Sequence, residues 1–229
     1  MKRIVGIFLL SIVSSFVIAQ ESSRPTQPDF PGDIMVDFGF NFWNNQPNDF
    51  PTTFWGSNSI GVYYNHRWEM SSHISFHSSL GVTIDKYASD ESYTWLRDSD
   101  GTVSFDSLSG VSFSKNKLVS TYAELPVEFR IHPLGTKNGE GWFIGLGGFL
   151  GRRIGAHTKI KFQSVDGEFK EKLYSDFDLV DFRYGLQARF GFRSFHVYYK
   201  HYLNKTFNNA PDGVNNPQTW TIGLNFSGF

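Results

Sequence analysis

The stretch KLVSTYAELPVEFRI, residues 117–131, decides the fold class. Every second side chain over 119–131 is apolar or small, and Glu124, Glu128 and Arg130 lie between them. A period of two residues is that of a β-strand with one apolar and one polar face. The run exceeds the roughly 9–11 tilted residues with which a strand crosses a bilayer. The stretch therefore predicts a two-faced strand that is long enough to span a membrane.

Seven further segments alternate in the same way, and the connections between segments alternate in length. Short turns on one rim and long loops on the other are typical of transmembrane barrels. We therefore expect an all-β chain that forms an eight-stranded antiparallel up-and-down transmembrane β-barrel over 33–229. The predicted strands are 33–44, 59–70, 73–87, 117–131, 141–155, 180–192, 195–204 and 218–229. The predicted long loops are 45–58, 88–116, 156–179 and 205–217.

Charges of both signs lie at mid-strand on the polar faces. Inside a closed barrel these side chains can pair with one another, whereas lipid cannot satisfy polar groups. A soluble barrel could carry them on its outer surface, so the charges alone leave the orientation open. The predicted lumenal charge network consists of Asp37, Arg67, Glu69, Asp85, Glu124, Glu128, Arg130, Asp181, Arg183, Arg189 and Lys200.

Aromatic side chains and the last predicted strand favour an apolar face that points toward lipid. Aromatic residues at both ends of the apolar faces are typical of interfacial girdles. The last strand resembles the C-terminal signal that the outer-membrane barrel-assembly machinery reads, although Phe229 is out of phase with it. The predicted girdle is Trp68, Trp142, Phe192 and Phe195 at the short-turn rim, with Tyr87 and Trp220 toward the loop rim. The predicted assembly signal is Ile222, Leu224, Phe226 and Phe229.

The N-terminus has the features of a secretory signal. Lys2 and Arg3 precede an apolar run that is too short to span a bilayer, and a cleavage site near Ala19 follows. We expect a signal peptide over 1–19 and a proline-containing disordered periplasmic lead-in over 20–32. The predicted location is the outer membrane of a Gram-negative cell, with outer-membrane lipid and the barrel-assembly machinery as partners.

Composition excludes several classes of protein. The chain has no cysteine, which excludes disulfide scaffolds, thiolate zinc sites and a lipid-anchored cysteine. Its net charge of -1 argues against a nucleic-acid partner. Glu124 and Glu128 are about 13 Å apart along a strand, which is too far for a glycosidase pair. We expect no cofactor, no metal site and no catalytic residues. Asp98-Ser99-Asp100-Gly101 predicts a hairpin turn, and Pro126 is expected on the lumenal face.

Residues 118–130, LVSTYAELPVEFR, resemble the hallmark strand of the PorT-type outer-membrane barrels of Bacteroidetes, which runs Thr-Tyr-x-x-x-Pro before alternating apolar residues. Residues 184–192 and 198–203 are similar to the sixth and seventh strands of that family. The resemblance implies an eight-stranded outer-membrane barrel. The member that gives the family its name belongs to the type IX secretion machinery, and the resemblance brings no catalytic residues.

Three functions remain open at this point. The first is a non-enzymatic subunit of a larger outer-membrane complex for secretion, transport or barrel assembly, with further proteins as partners. The second is an autonomous surface barrel that binds a ligand or a surface through aromatic loop tips at 50–55 and 93–95. The third is a narrow pore, which the mixed charges inside the predicted lumen disfavour.

Overall fold

A computed structural model describes residues 32–110, 112–134, 141–164, 167–211 and 214–228. The predicted signal peptide lies outside these residues, and so does the predicted lead-in except Gly32. The strands are β1 (Asp33–Asn44), β2 (Asn58–Glu69), β3 (Ile74–Ser89), β4 (Tyr93–Arg97), β5 (Val103–Ser107), β6 (Phe113–Ile131), β7 (Trp142–Ser164), β8 (Gly167–Tyr174), β9 (Phe182–Phe192), β10 (Phe195–Tyr202) and β11 (Gln218–Ser227).

Eight strands form a closed antiparallel ring in the order β6-β3-β2-β1-β11-β10-β9-β7, and β6 pairs with β7 to complete it. β1 and β11 join the two ends of the chain, with Met35 opposite Ser227 and Asn44 opposite Gln218. The predicted eight-stranded antiparallel barrel is confirmed. The described residues contain no helix that is long and apolar enough to cross a bilayer.

Two hairpins extend from the barrel at its loop rim. β4 pairs with β5 in a sheet of their own, and Asp98 N donates to Thr102 O in the turn that the sequence predicted. β7 continues past the ring, and its last residues pair with β8 from His157–Tyr174 to Ser164–Gly167. The sequence predicted a loop over 156–179, so this second hairpin is a correction. Its outward positions carry lysines rather than apolar residues, and this hid the strand period.

The β6–β7 ladder shows where the long strands bend. Pro126 lies opposite Phe149 on the lumenal face, and the register continues unbroken on both sides of it. The ladder has two register shifts, one between Phe113 and Lys115 beyond the rim and one between Thr121 and Tyr122. The second shift marks the bend. A bulge at this position adds local twist where β7 leaves the barrel for the hairpin.

The two faces of the barrel wall differ sharply in polarity. Leu80 and Leu186 on the outward face are 62% and 57% exposed, whereas Glu124 on the inward face is 1% exposed. Leu125 and Leu224 are also exposed, and Glu128 and Arg189 are buried. The barrel is therefore apolar outside and polar inside, which is the arrangement that a lipid environment requires.

Candidate functional site

Eight buried charges fill the lumen, and we call them the ion network. Four are carboxylates and four are cations, so the network is neutral as a whole. Each projects inward because it falls on the inward parity of its strand. The members are Asp37 on β1, Asp85 on β3, Glu124, Glu128 and Arg130 on β6, Arg183 and Arg189 on β9, and Lys200 on β10.

The part of the ion network nearer the loop rim centres on Arg183 and Glu124. The Arg183 guanidinium pairs with Asp85 and donates to Glu124 Oε2 at 2.7 Å. Lys200 pairs with Glu124 on its other side. Tyr63 Oη donates to Glu124 Oε1 at 3.0 Å and accepts from Lys200 Nζ at 2.9 Å. The Glu124 carboxylate is thus enclosed by donors, as a buried charge requires.

The part nearer the short-turn rim centres on Arg189. Its guanidinium donates to both oxygens of Asp37 at 3.2 and 3.1 Å, and its Nε lies 3.1 Å from Glu128 Oε2. Arg130 Nε donates to Glu128 Oε1 at 2.6 Å. Lys200 Nζ lies 3.9 Å from Asp37 Oδ2 and so connects the two parts. The network crosses the lumen from wall to wall.

Glycines on β7 provide the space for these side chains. A Cβ on Gly145 would lie 2.5 Å from Glu128 Oε1, and one on Gly147 would lie 1.9 Å from Val127 O. A Cβ on Gly151 would lie 3.0 Å from Arg183 Cγ. The glycine-rich sequence of this strand therefore reflects close packing inside the barrel.

A hydrogen-bonded layer that the sequence did not predict lies at the short-turn end of the lumen. Ser75 Oγ is 3.0 Å from His77 Nε2 and 3.0 Å from His132 Nε2, and Asn65 Nδ2 is 3.3 Å from His77 Nδ1. All four residues are buried. The sequence could have placed His77 in the lumen, because His77 falls on the inward face of β3. It could not have placed His132, which follows the end of β6 and belongs to no alternating pattern. Because Ser75 is buried, this arrangement fills the lumen and does not present a nucleophile to solvent.

The loop end of the lumen is covered by an apolar cluster that we call the loop cap. Trp43 stacks on Tyr87 at 4.3 Å between ring centroids, and Trp95 stacks on Phe207 at 4.7 Å. Segments from all four long connections contribute side chains to it. The buried members are Trp43, Phe50, Tyr87, Trp95, Val103, Leu118, Ala156, Phe177, Leu179 and Phe207.

The loop cap corrects two expectations from the sequence. Tyr87 does not face lipid in a girdle: it is buried in the cap, with its hydroxyl 3.1 Å from Thr219 Oγ1. Its parity on β3 is that of the inward Asp85. The predicted aromatic loop tips are also only partly accessible to a binding partner. Phe50 and Trp95 are buried, whereas Trp55 is 80% exposed.

Three of the predicted lumenal charges lie outside the ion network. Asp181 has a side chain that is 68% exposed, and it pairs with Arg153 at 2.6 Å beyond the start of β9. Arg67 and Glu69 pair with each other at 3.0 Å near the end of β2, where the Glu69 side chain is exposed. Asp181 and Glu69 lie at strand ends, where the wall no longer encloses them, whereas Arg67 has a side chain that is only 23% exposed and lies opposite the lumenal His77.

The outer wall carries aromatic residues at both rims. At the short-turn rim Trp142 packs on Phe190 and Phe192, each at 5.1 Å, and Phe195 packs on Phe226 at 5.5 Å. Trp68 is exposed on the same rim, 5.5 Å from Phe76. At the loop rim Trp220 stacks on Phe42 at 4.1 Å. Ile222, Leu224 and Phe226 of the predicted assembly signal face outward on β11, and Phe229 lies outside the described residues.

The family model for the outer membrane protein beta-barrel domain matches residues 18–209. The chain belongs to this family. An outer-membrane β-barrel of this kind contacts membrane lipid with its apolar outer wall, and aromatic residues at both rims are typical of such barrels. No curated protein matches the chain.

Several chains among the solved structures are similar to this chain. The crystal structure of Ail, the attachment invasion locus protein of Yersinia pestis, in complex with the heparin analogue sucrose octasulfate, is 16% identical in sequence to this outer-membrane barrel. The match covers 87% of this chain and 100% of that chain, with a TM-score of 0.33. At this TM-score the likeness supports no functional comparison.

No group of three or more histidine, aspartate or glutamate side chains suited to a metal ion occurs among the described residues of this outer-membrane barrel. His73 and His77 lie apart, since His73 contacts Ser72 at the turn and His77 faces the lumen.

Proposed function

We propose that this outer-membrane barrel is a non-conducting, non-enzymatic subunit of a larger outer-membrane complex for secretion, transport or barrel assembly. The observation that carries the proposal is the filled lumen. The ion network crosses the barrel from wall to wall, and the loop cap covers it toward the loop rim. If no open path leads through the lumen, the barrel can act only through its outer wall and its loops.

The outer wall near the loop rim offers a contact surface. Phe54, from the connection between β1 and β2, turns back and stacks on Phe40 of β1 at 4.4 Å. Trp55 lies edge-on to both rings, 5.1 Å from Phe54 and 5.8 Å from Phe40. Exposed aromatic clusters of this kind are enriched at protein interfaces. Three packed aromatic rings form a larger exposed surface than a single interfacial residue would. This supports a contact with a neighbouring protein at this point.

The resemblance of residues 118–130 to the PorT-type barrels supports the same proposal. Thr121, Tyr122 and Pro126 occupy the positions of the Thr-Tyr-x-x-x-Pro pattern. On this proposal the chain is a PorT-type member from the Bacteroidetes, and its partners are other proteins of an outer-membrane complex. The barrel-assembly machinery would act on it only during insertion.

Affinity isolation from native membranes in mild detergent tests the proposal. A tag inserted within 20–32 avoids the predicted assembly signal. We expect the wild-type barrel to retain stoichiometric protein partners and the Phe54→Ala/Trp55→Ala variant to lose them. Trp142→Ala, which removes an outward aromatic residue at the opposite rim, is the matched control. Recovery of the wild-type barrel alone would contradict the subunit role. Equal capture of partners by all three proteins would contradict the assignment of Phe54 and Trp55 as the contact surface.

A second candidate is an autonomous surface barrel that binds a partner through its loops. One observation favours it: β8 is an edge strand with all eight residues exposed, including Phe169 and Tyr174. An exposed edge can accept a further strand from another chain. If this candidate is right, replacing 165–174 by a short Gly-Ser linker abolishes binding of intact cells to their target surface, and the barrel still folds. Unchanged binding would count against it.

Planar-bilayer recording separates both candidates from a pore. The filled lumen predicts no stable, sizeable conductance from the wild-type barrel. Reproducible single-channel steps would restore the narrow pore as the leading function.

A further inference from the structure

Six lysines form a two-by-three array on three adjacent strands beyond the loop rim. Lys117 on β6 lies opposite Lys159 on β7, and Lys159 lies opposite Lys172 on β8. The next row is Lys115, Lys161 and Lys170, paired in the same order. All six share one face, because residues two apart on a strand point the same way. We call this set the lysine array.

The lysine array continues the outward wall of the barrel. The intervening residues Leu118, Thr158 and Ile160 are buried on the opposite face. Lys115, Lys170 and Lys172 are exposed, and the other three are half-buried. Along β6 the outward series rises from Leu125 through Thr121 to Lys117. At about 3.3 Å per residue and a tilt near 40°, the Lys117 row lies roughly 20 Å above Leu125. Half of a 25 Å apolar band accounts for about 12 Å of this height.

Positive charge is concentrated here although the chain has a net charge of -1. Lys86 and His157 lie in the next row toward the membrane, each opposite Val119. Glu168 is the acidic residue on this face of β8, and it pairs with Lys161 at 2.5 Å. Like charges placed directly opposite each other destabilise a sheet. Partial burial, with the neighbouring ammonium groups of Lys172 and Lys170, lowers the pKa of Lys159 from its usual value. Glu168 at Lys161, and the Gly56 carbonyl that accepts from Lys117 Nζ at 3.3 Å, offset part of this repulsion. A bound anion would offset more of it.

A groove of about 500 Å³ borders the array on the side of the membrane. Arg153, Ile154, His157, Tyr174 and Asp176 are among its lining residues, and it forms where the bulge opens the β6–β7 ladder. The groove combines an arginine, a histidine and a carboxylate with apolar side chains. Arg153 already pairs with Asp181, and Asp176 pairs with Arg97. It has room for a sugar-phosphate headgroup beside the lysine array.

We propose that the lysine array binds the phosphate groups of anionic glycolipid headgroups in the outer leaflet. Its height places it at and above the headgroup region, and its orientation makes it accessible to a lipid that lies against the wall. Two rows of ammonium groups on a rigid sheet match several phosphates on one lipid better than a single charge. A soluble polyanion could bind to the same lysines. It would bind more weakly than a lipid, because it has no acyl chains to contact the apolar wall below them.

Native mass spectrometry of the mature barrel in neutral detergent tests this proposal. The probes are diphosphoryl lipid A and the same lipid without phosphates. We expect Lys159→Gln/Lys161→Gln/Lys170→Gln/Lys172→Gln to bind the diphosphoryl lipid at least about tenfold more weakly than wild type. The matching four Lys→Arg substitutions keep the charge and should bind as wild type, as should Lys205→Gln. The phosphate-free lipid should not distinguish these proteins.

Two further measurements keep the test decisive. Lys170→Gln/Lys172→Gln alters β8 alone, where both side chains are exposed, and should weaken binding if the quadruple variant does not fold. Inositol hexakisphosphate serves as a soluble polyanion and should compete poorly. The proposal would be overturned if the Gln variants bound diphosphoryl lipid A as tightly as the wild-type barrel does. Binding of the soluble polyanion that is as tight as binding of the lipid would also overturn it.

Discussion

Arg189 and Asp37 form a two-pronged ion pair across the lumen, with Nη1–Oδ1 and Nη2–Oδ2 distances of 3.2 and 3.1 Å, between residues 152 positions apart in the chain. Both side chains are almost fully buried. A paired geometry of this kind is the strong form of an arginine–carboxylate interaction. It joins β9 to β1 through the interior, in addition to the backbone ladders that join neighbouring strands.

Removing one partner of this pair should be costly. Arg189→Met leaves Asp37 with only the more distant cation Lys200, at 3.9 Å, and Glu128 with only the cation Arg130, and we expect a loss of about 3–5 kcal/mol in the free energy of unfolding. Asp37→Asn combined with Arg189→Met should lose less than the sum of the two single variants. Urea unfolding in lipid vesicles, followed by tryptophan fluorescence, measures all three proteins.

The control is a pair whose carboxylate is exposed. Glu69→Gln removes the charge of a side chain that is 61% exposed near the short-turn rim, and we expect a loss of about 1 kcal/mol or less in the free energy of unfolding. Equal losses from Glu69→Gln and Asp37→Asn would contradict a structural role for the buried pair.

Gly147→Ala should disturb the β6–β7 ladder. The new Cβ would lie 1.9 Å from Val127 O and 2.7 Å from Glu128 Cα, which are backbone atoms that cannot rotate away. We expect a loss of about 1–3 kcal/mol or failure to fold. Gly155→Ala, on the same strand, meets nothing within 4 Å and should change stability by about 0.5 kcal/mol or less. Heat-dependent gel mobility compares the stability of the two variants with that of the wild-type barrel. Indistinguishable profiles for Gly147→Ala and Gly155→Ala would contradict the idea that Gly147 is required by close backbone packing.

Trp95→Ala should open the loop cap without unfolding the barrel. Trp95 is 1% exposed and stacks on Phe207, so its removal leaves a large cavity. We expect faster hydrogen exchange and protease cleavage in the long connections, with the barrel strands protected as before. Tyr93→Ala, at a half-exposed position on the same strand, is the control. A cap that stays protected in Trp95→Ala would show that its packing depends little on this side chain.

A charge on the outward wall tests which face meets lipid. Leu186 is exposed at mid-strand on β9, and Leu186→Arg should cost about 2–4 kcal/mol in a bilayer. Tyr174→Arg, in the hairpin beyond the rim, should be nearly neutral. Unfolding in vesicles compared with detergent micelles checks both, and a neutral Leu186→Arg in vesicles would be incompatible with a lipid-facing wall.

The barrel was predictable because its decisive pattern is local. A period of two residues on β6 fixes which side chains share a face, and β1 matches the predicted bounds, 33–44. The central ion network follows from the same parity once the apolar face is assigned to lipid. The inward position of Tyr87 could also have been predicted. Ile84 lies on the outward face of β3, and a residue three positions further along a strand lies on the opposite face.

The loop cap and the β7–β8 hairpin were not predictable from local patterns. Phe50, Trp95, Phe177 and Phe207 come from four separate connections, and their contacts depend on where the closed ring brings those connections. Between His157 and Phe162, lysines occupy the outward positions, so the apolar period of the wall disappears although the strand continues. Asp181 was assigned to the lumen because β9 was predicted to begin at 180 and not at Phe182.

The distribution of the buried ions along the chain has a consequence for insertion. Strands β1, β3 and β6 hold all four buried carboxylates and one buried cation, Arg130, whereas β9 and β10 hold the other three cations. Counting only the ion network, the N-terminal half of the ring therefore carries an excess of three negative charges, and the C-terminal half an equal positive excess. Neither half can enter hydrocarbon alone without stranding charge in a medium that penalises it heavily. We therefore expect the first strands of the ring to enter the bilayer together with the last ones, so that the buried charges pair as the ring closes.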